Sequence, residues 1–305
     1  MKKVVISGAT GTIGRAVCAA LSGRGDQVTA LSRDAARAQR TLGVPAAQWA
    51  DPTSQPPPRE ALAGADAIIH LLGESIAQRW TPQAKARIRD SRVLSTRLLV
   101  GALRELAPQE RPAVLVCQSA TGFYGPSDDR ELDERAPAGQ DFLAQVVSAW
   151  ESEARAADGL LRVVNTRTGV VLSASGGALA QMLPFFRAGV GGPVAGGRQY
   201  VPWIHLDDVV GALLAALDDE RLSGPVNVTA PSPATNRELS SALGRVLHRP
   251  AVLPVPAFAL RLLYGEMATI VITGQRAVPA RLRELGFDFR HPSLEGALRD
   301  VLGGR

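Results

Sequence analysis

The sequence has few of the residues and runs that hold disulfides, metals or membrane spans. Only two cysteines occur in 305 residues, and Cys18 and Cys117 both lie inside apolar runs, which is typical of buried free thiols in a reducing compartment. There is no CxxC, HExxH or clustered His/Cys spacing, so we expect no metal held by protein ligands. No apolar run approaches the ~20 residues of a membrane span, and the run before Gly8 is too short for a signal peptide. We therefore expect a cytoplasmic protein with no membrane partner.

Lysine is also scarce, since Lys2, Lys3 and Lys85 are the only lysines among 34 basic residues. The formal net charge is +5, and the arginines alternate with acidic residues instead of forming blocks. This pattern favours a solvated surface over a nucleic-acid-binding patch, so we expect no nucleic-acid partner.

The first half of the chain alternates short apolar segments with longer amphipathic ones. Segments 4–7, 65–72 and 113–118 are apolar without alternation, which is typical of strands buried on both faces of a parallel sheet. A long helix is predicted at 82–106, with Thr81 as its N-cap and Pro82 at its first position. The pattern predicts an α/β fold with a doubly wound parallel sheet of the Rossmann type.

The rhythm changes after about residue 170, where 176–197 is rich in glycine and the stretch GVGGPVAGG at 189–197 predicts a loop. We divide the chain into a Rossmann domain at 1–170 and a smaller C-terminal α/β lobe at 171–305. Segments at about 200–230 are expected to return to the first domain, and a C-terminal module is expected at about 250–300.

A glycine-rich loop follows the first strand and precedes the first helix. Its pattern is G-x-x-G-x-x-G, and these glycines permit a tight turn and a close approach of the backbone to a pyrophosphate. The N-terminus of the following helix offers free N–H groups to the phosphates. The residues predicted to hold the cofactor here are Gly8, Thr10, Gly11, Thr12, Ile13 and Gly14.

The end of the second strand selects between the two nicotinamide cofactors. An NAD site usually has an acidic residue there, which binds the ribose 2′-OH. This chain has Ser32 followed by Arg33, and a hydroxyl with a guanidinium suits a 2′-phosphate. We therefore predict NADP(H). The alternative is that Arg33 is a surface residue and that Asp34 binds the ribose of NAD(H).

Several longer motifs carry a resemblance to a known family. They are 70–76 (HLLGESI), 119–125 (SATGFYG), 167–172 (RTGVVL), 203–208 (WIHLDD), 265–267 (GEM) and 274–276 (GQR). With the glycine loop, the chain resembles the extended short-chain dehydrogenase/reductase superfamily over nearly its whole length. It is most similar to the branch of NAD-dependent epimerase family proteins that end in a small C-terminal module.

The resemblance implies further cofactor residues. Leu71, Leu72 and Gly73 match the stretch that lies along the adenosine and ribose, and Thr96 matches the threonine of a similar helix motif. Ser119 stands in the place of the superfamily's catalytic Ser/Thr. The resemblance also implies a homodimer through the helices at 82–106 and 142–157.

The superfamily's Tyr-x-x-x-Lys motif is missing. In the equivalent helix the tyrosine position falls on Leu143 and the lysine position on Val147. The lysine matters because a neutral tyrosine with a pKa near 10 is a poor base at pH 7. With Ser119 binding the substrate oxygen, Tyr124 is the remaining candidate for the proton carrier.

Four other side chains are candidates for the site. Glu74 follows the carboxyl end of a strand, where ligands bind in open α/β sheets, and we predict that it contacts the cofactor; the alternative is a loop acid that caps the region before Thr81. Arg92 falls where similar proteins point an Asn toward the site, and it could receive an anionic substrate group. Trp203 and His205 are predicted on the substrate side; His205 is either an acid/base group or a structural residue of the substrate lobe.

Two functions remain open from the sequence. The first is an NADP(H)-binding oxidoreductase or epimerase-like enzyme that acts on a small polar substrate, such as a nucleotide sugar or another carbonyl or alcohol. The alternative is a regulatory protein that binds NADP(H) and has lost the Tyr-x-x-x-Lys chemistry.

Overall fold

Seven parallel strands form the central sheet of the protein, whose computed structural model describes residues 1–303. All the strands of the described residues, inside and outside this sheet, are β1 (Lys3–Ser7), β2 (Gln27–Ser32), β3 (Ala46–Gln48), β4 (Ala67–His70), β5 (Val114–Ala120), β6 (Glu131–Leu132), β7 (Arg162–Thr168), β8 (Val170–Leu172), β9 (Tyr200–Val201), β10 (Trp203–His205), β11 (Gly224–Val228), β12 (Ala234–Thr235) and β13 (Arg276–Ala277). The order in the main sheet is β3-β2-β1-β4-β5-β7-β11. The remaining strands pair as β8 with β10, β9 with β12 and β6 with β13.

The apolar runs of the sequence form the middle of this sheet. All four residues of β4 are buried, because helices cover both faces of a parallel sheet. Since every strand of the sheet runs the same way, all the carboxyl ends meet at one edge. The predicted doubly wound Rossmann fold is confirmed.

The helices cover the sheet and build the second lobe. They are α1 (Thr12–Gly23), α2 (Ala35–Leu42), α3 (Arg59–Leu62), α4 (Pro82–Glu105), α5 (Phe142–Arg155), α6 (Gly177–Arg187), α7 (Leu206–Asp218), α8 (Asn236–Leu247), α9 (Ala257–Tyr264), α10 (Thr269–Ile272), α11 (Ala280–Glu284) and α12 (Leu294–Leu302). Helices α1 and α7 share one core cluster with the sheet, and α4 and α5 share the cluster on the opposite face.

Side-chain caps fix where several of these helices begin. The Thr81 hydroxyl accepts a hydrogen bond from the Ala84 N–H (3.2 Å) and Pro82 is the first helical residue of α4, as the sequence predicts. The Asp141 carboxylate caps α5 in the same way. Because α4 and α5 both begin at the carboxyl edge of the sheet, their first turns face the region where ligands bind in open α/β folds.

A separate core cluster holds the C-terminal lobe together, with α6, α8 and α12 packed around Trp203 and Leu243. The predicted loop at 189–197 follows helix α6, which the glycine-rich composition of 176–197 did not predict. Leu179, Leu183 and Phe186 give this helix a buried face. In the sequence, their helical spacing is outweighed by the glycines at the start of the segment, which are typical of a loop. Both cysteines are buried free thiols, as predicted. Within residues 1–303, no helix is both long and apolar enough to span a bilayer.

Candidate cofactor and active site

The glycine loop packs so tightly that two of its glycines have no room for a side chain. Gly8 has a φ of +71°, and a Cβ there would lie 2.7 Å from the carbonyl of Leu71. A Cβ on Gly14 would lie 2.4 Å from the Gly8 carbonyl oxygen. The loop therefore lies directly against the end of β4 and brings the start of α1 close to the sheet.

The start of α1 offers free hydrogen-bond donors to a ligand. The first intrahelical bond near this end runs from the Arg15 N–H to the Gly11 carbonyl (2.9 Å), so the N–H groups of Thr12, Ile13 and Gly14 lack helical acceptors. Thr10 and Gly11 are exposed, and no acidic residue lies in the first turn. This combination of a bare backbone cradle and a positive helix end fits a pyrophosphate.

The groups at the end of β2 separate the two alternatives for the ribose end. The Asp34 carboxylate accepts the Arg37 N–H (2.9 Å) and caps α2. The Ser32 hydroxyl bonds to the Asp34 carbonyl (3.1 Å). Arg33 is exposed, and within residues 1–303 it has no ion-pair partner. The acidic residue is thus engaged by the helix, while the guanidinium is free.

The segment after β4 lies next to the glycine loop. The Leu71 N–H bonds to the Ser7 carbonyl (3.1 Å), which holds 71–73 beside β1. The Glu74 N–H bonds to the Ser91 hydroxyl (2.9 Å), and its carboxylate accepts from Gln78 (3.3 Å). Leu71, Leu72, Gly73 and Glu74 thus stand at the carboxyl edge of the sheet, where the resemblance places them.

Arg92 is a partly buried cation beside this segment. Its guanidinium lies against Gly73, since a Cβ built on that glycine would be 3.0 Å from Arg92 Cζ. The same Cζ lies 5.4 Å from the centre of the Trp150 ring. One nitrogen donates to the Ile88 carbonyl (2.9 Å), and in the described chain no carboxylate lies within ion-pair distance. Burial lowers the pKa of Arg92 to about 10. A desolvated charge without a carboxylate partner favours an anionic or strongly polar ligand.

Thr96 does not reach the cleft. Its side chain is fully buried, and its hydroxyl accepts from Trp150 (2.9 Å) and donates to the Arg92 carbonyl (2.7 Å). The prediction that Thr96 contacts the cofactor is therefore not supported, because these two bonds fix the hydroxyl within the contact between α4 and α5.

Ser119 also lies inside the protein, in a buried network. Its hydroxyl donates to Glu151 Oε1 (2.6 Å), and it has no exposed surface. The Glu151 carboxylate also accepts two bonds from Arg167, at 2.8 and 2.9 Å. The predicted bond from Ser119 to a substrate oxygen is thus replaced by a bond to a buried carboxylate.

Tyr124 belongs to the same network. Its hydroxyl donates to Asn227 Oδ1 (2.7 Å) and accepts from Arg167 (3.1 Å). Burial raises the pKa of Tyr124 to about 12, whereas a proton carrier at neutral pH needs a lower pKa. The prediction of Tyr124 as proton carrier is therefore corrected to a structural role.

Apolar side chains occupy the two motif positions on α5. Leu143 packs near Gly122, where a Cβ would be 3.6 Å away, and Val147 is buried. Neither side chain can transfer a proton, and the polar residue one turn further along α5, Glu151, is held in the buried network by Ser119 and Arg167.

Trp203 and His205 are structural in this fold. Trp203 is buried, and its indole N–H donates to the Ser232 carbonyl (3.0 Å), so it does not face a substrate. His205 is the N-cap of α7, since its Nδ1 accepts the Asp207 N–H (3.0 Å). Its ring stacks on His291 at 3.7 Å. These positions favour the structural alternative for His205.

A group that could hold a cation surrounds His205. It comprises His205, Asp207, His291 and Asp300, and His205 Nε2 lies 3.1 Å from Asp300 Oδ2. However, Nδ1 of His205 is a hydrogen-bond acceptor, so in the neutral ring Nε2 carries the proton. A metal-bound histidine instead donates from its other nitrogen. The group is therefore arranged as a helix cap that joins α7 to α12.

Sequence reasoning missed two features near the site. Glu134 accepts the Asn227 N–H (2.9 Å) inside the buried network, and the acidic stretch around it reads as solvated loop. Gly176 touches Thr12, whose Oγ1 would lie 2.5 Å from a Cβ at that glycine. This contact brings the second lobe against the start of α1, and no local pattern signals it.

The fold and the cradle together define a protein of the dinucleotide-binding, short-chain dehydrogenase/reductase type. A family model described as "NAD dependent epimerase/dehydratase family" matches residues 4–229, and one described as "Domain of unknown function (DUF1731)" matches 255–301. The chain belongs to the NAD-dependent epimerase/dehydratase family, and the family resemblance drawn from its motifs is confirmed.

Relatives along nearly the whole chain agree with this assignment. The chain is 38% identical to "Epimerase family protein SDR39U1 homolog, chloroplastic" of Arabidopsis thaliana, over 98% of this chain and 86% of that protein. The crystal structure of the human epimerase family protein SDR39U1 (isoform2) with NADPH has a TM-score of 0.89 and 34% identity, and covers 99% of this chain and 100% of that chain. UDP-glucuronic acid 4-epimerase from Bacillus cereus, with UDP-glucuronic acid and NAD, shares the fold at a TM-score of 0.78 and 14% identity, covering 99% and 98% of the two chains.

Proposed function

We propose that this protein binds NADP(H) across the carboxyl edge of β1, β2 and β4. The observation that carries the proposal is the cradle itself, in which Gly8 and Gly14 leave no space for a Cβ and the first N–H groups of α1 are free. Arg33 and Ser32 would receive the 2′-phosphate. The engagement of Asp34 as a helix cap supports NADP(H) over NAD(H), because its carboxylate is already held by the Arg37 N–H.

The human relative supports the same choice, since its structure was determined with NADPH and it is 34% identical to this chain. Structures with NAD are also similar to this chain, but at 14–21% identity they inform the fold alone. Within this chain, Arg33 is the residue on which our proposal of NADP(H) over NAD(H) rests.

The site supports oxidoreductase or epimerase-type chemistry on a small polar substrate. A bound nicotinamide supplies or accepts a hydride at a carbon of that substrate. Arg92 is the residue of this chain that would bind the substrate oxygen, because its guanidinium is charged at pH 7 and lacks a carboxylate partner. A fixed cation at this place stabilises negative charge that develops on the oxygen. The proton would come from solvent when the substrate is reduced and leave to solvent when it is oxidised, since the Tyr124 hydroxyl is held in the buried network.

A second function is favoured by one specific observation. The hydroxyls of Ser119 and Tyr124 are both engaged in buried hydrogen bonds. Helix α5 has Leu143 and Val147 at the positions of the superfamily's proton-transferring tyrosine and lysine. A regulatory protein that binds NADP(H) without turnover would have this arrangement.

Calorimetric titration with NADPH and with NADH tests the cofactor. We expect NADPH to bind at least tenfold more tightly, which is about 1.4 kcal/mol. Arg33→Glu should abolish the difference. Arg40→Glu is the matched control, because it makes the same charge change at an exposed position further along α2. Equal binding of both cofactors by the unaltered protein would refute the role of Arg33.

A turnover screen distinguishes the enzyme from the regulatory protein. The protein is supplied with the preferred cofactor and with aldehydes, quinones and nucleotide sugars. Arg92→Met keeps an apolar chain against Trp150 and removes the charge, whereas Arg89→Met changes an exposed arginine three residues earlier on α4. Turnover that is lost only in Arg92→Met supports the enzyme. Tight cofactor binding without turnover of any substrate supports the regulatory protein.

A further inference from the structure

The large exposed apolar side chains of this protein are concentrated in two segments of the C-terminal lobe. Apart from Met1, every one in the described chain falls within 185–190 or 252–271. Phe258, Leu262 and Val252 are 72%, 77% and 75% exposed. A soluble protein rarely leaves so many large apolar groups together in water unless the patch has a partner.

The two segments form one surface. The strand-like residues Val194 and Val255 pair as a parallel bridge, and the Ala195 N–H bonds to the Val255 carbonyl (2.9 Å). A Cβ on Gly192 would lie 2.1 Å from the Leu253 carbonyl oxygen. The loop after α6 is therefore attached directly to the chain that leads into α9.

Helix α9 contributes more of these exposed side chains than any other helix and none of the core. None of its eight residues is buried, although Phe258, Leu262 and Leu263 are apolar. A short helix gains little from propensity alone and is normally stabilised by a buried apolar face. In α9, the apolar face that would normally be buried is exposed to solvent. We call the exposed side chains of Phe185, Val252, Leu253, Phe258, Leu262 and Leu263 the apolar patch.

Positive charge accompanies the apolar patch. No aspartate or glutamate occurs in 174–200 or in 239–265, while both segments contain arginine. Arg187, Arg249 and Arg261 are exposed, and Arg249 Nε bonds to the Arg187 carbonyl (3.2 Å). Arg245 differs, because it pairs with Glu295 (2.9 Å). Arg187 and Arg249 therefore lie together next to the apolar patch, and Arg261 lies on α9.

We propose that the apolar patch docks on the surface of an anionic lipid bilayer. Phe and Leu side chains of an interfacial helix enter the boundary between headgroups and acyl chains, and arginines bind lipid phosphates. This is contact with one leaflet, consistent with the finding that no described helix can cross a bilayer. The protein would then work at a membrane surface without spanning it.

A second copy of the chain fits the same surface less well. A twofold contact places a patch against its own copy, so Arg187, Arg249 and Arg261 would meet arginines, while the one acidic residue of these segments, Glu266, is already paired with Lys85. A lipid headgroup layer supplies the negative charge that a second copy lacks.

Sedimentation with lipid vesicles tests the proposal. We expect the full chain to co-sediment with vesicles of mixed phosphatidylcholine and phosphatidylglycerol, and at least tenfold less with phosphatidylcholine alone. Phe258→Glu/Leu262→Glu and, separately, Arg187→Glu/Arg249→Glu should each reduce binding to the anionic vesicles at least tenfold. Arg40→Glu/Arg155→Glu makes the same charge change at exposed positions on α2 and α5 and should leave binding unchanged.

Two results would contradict membrane docking. Absence of binding to anionic vesicles, or equal loss in the Arg40/Arg155 control, overturns the proposal. Sedimentation velocity of the same proteins without lipid gives a further outcome: a dimer that Phe258→Glu/Leu262→Glu converts to monomer shows that the patch is a contact between copies. Circular dichroism melting of each variant confirms that it is folded, and a variant that is not folded is replaced by Phe258→Ser/Leu262→Ser.

Discussion

Replacing Glu151 by glutamine tests whether the buried network is a structural ion pair. The carboxylate accepts three hydrogen bonds, from Ser119 and from two nitrogens of Arg167. The side chains of Glu151 and Arg167 are only 1% and 3% exposed. In Glu151→Gln the amide NH2 faces an arginine donor, and Arg167 becomes a buried charge without its counter-ion.

The expected loss of stability is large. Breaking a buried ion pair on one side costs about 3–5 kcal/mol, against a total stability of about 5–15 kcal/mol for a folded protein. Arg167 keeps its carbonyl bond to Glu134 (3.2 Å) and its stacking on Phe123, whose ring centre lies 3.5 Å from Cζ. We therefore expect the lower part of the range, about 3 kcal/mol.

Urea denaturation at pH 7 measures this loss, and a double variant separates the pair from its surroundings. Glu151→Leu/Arg167→Met removes both charges and keeps similar volume. Since an apolar pair of that size can replace a buried ion pair at little cost, the double variant should be at least about 2 kcal/mol more stable than the sum of its single variants predicts. A loss below about 1 kcal/mol for Glu151→Gln would refute the reasoning, because it would mean that Arg167 finds solvent or another partner.

Three further predictions concern the cradle, a buried histidine and a helix cap. Gly8→Ala should cost about 2 kcal/mol or more and weaken NADPH binding at least tenfold, because its Cβ would overlap the Leu71 backbone at a φ of +71°; Gly25→Ala, at a φ of +85° in open space, isolates the cost of the backbone conformation. Burial lowers the pKa of His70 to about 4, so its unfolded form, with a pKa near 6.5, binds more protons between pH 6.5 and 4. Stability should therefore fall by about 2 kcal/mol from pH 7 to 5 in urea titrations, and His70→Gln should flatten this slope. Thr81→Ala should cost about 1 kcal/mol in urea denaturation through loss of the α4 cap, while Thr81→Ser should not.

Most of the sheet is predictable from the sequence, since apolar strands and capped helices are local signals. Thr81 and Pro82 predict where α4 begins. The continuous apolar run predicts that β4 is buried on both faces of the sheet. Helix α6 is not predictable in this way. Its buried residues are spaced as a helix, but the glycines that flank it carry the signal of a loop, and the packing of α6 against α8 comes from the rest of the lobe.

The phosphate cradle is predictable because every part of it is contiguous in the chain. The buried network is not, because Ser119, Glu151 and Arg167 come from β5, α5 and β7, and only the register of β5 beside β7 brings them together. A serine at the end of a strand has the same sequence signature whether it faces a substrate or a buried carboxylate. The resemblance therefore identified the position of Ser119 correctly but could not show what its hydroxyl contacts.

The two halves of the candidate site differ in what the fold leaves free. On the side of β5 and β7, the two residues predicted to be catalytic already have protein partners: Ser119 binds Glu151, and the Tyr124 hydroxyl binds Asn227. On the side of β4, the guanidinium of Arg92 lacks a carboxylate partner in the described chain, although burial penalises its charge. A folded chain keeps an uncompensated cation at a cost, and a bound anion or polar oxygen would offset that cost. The polarity of Ser119 is therefore explained by folding alone, whereas Arg92, whose charge is balanced within residues 1–303 only by the Trp150 ring and by Glu74 outside ion-pair distance, is the group that we propose a ligand would pair.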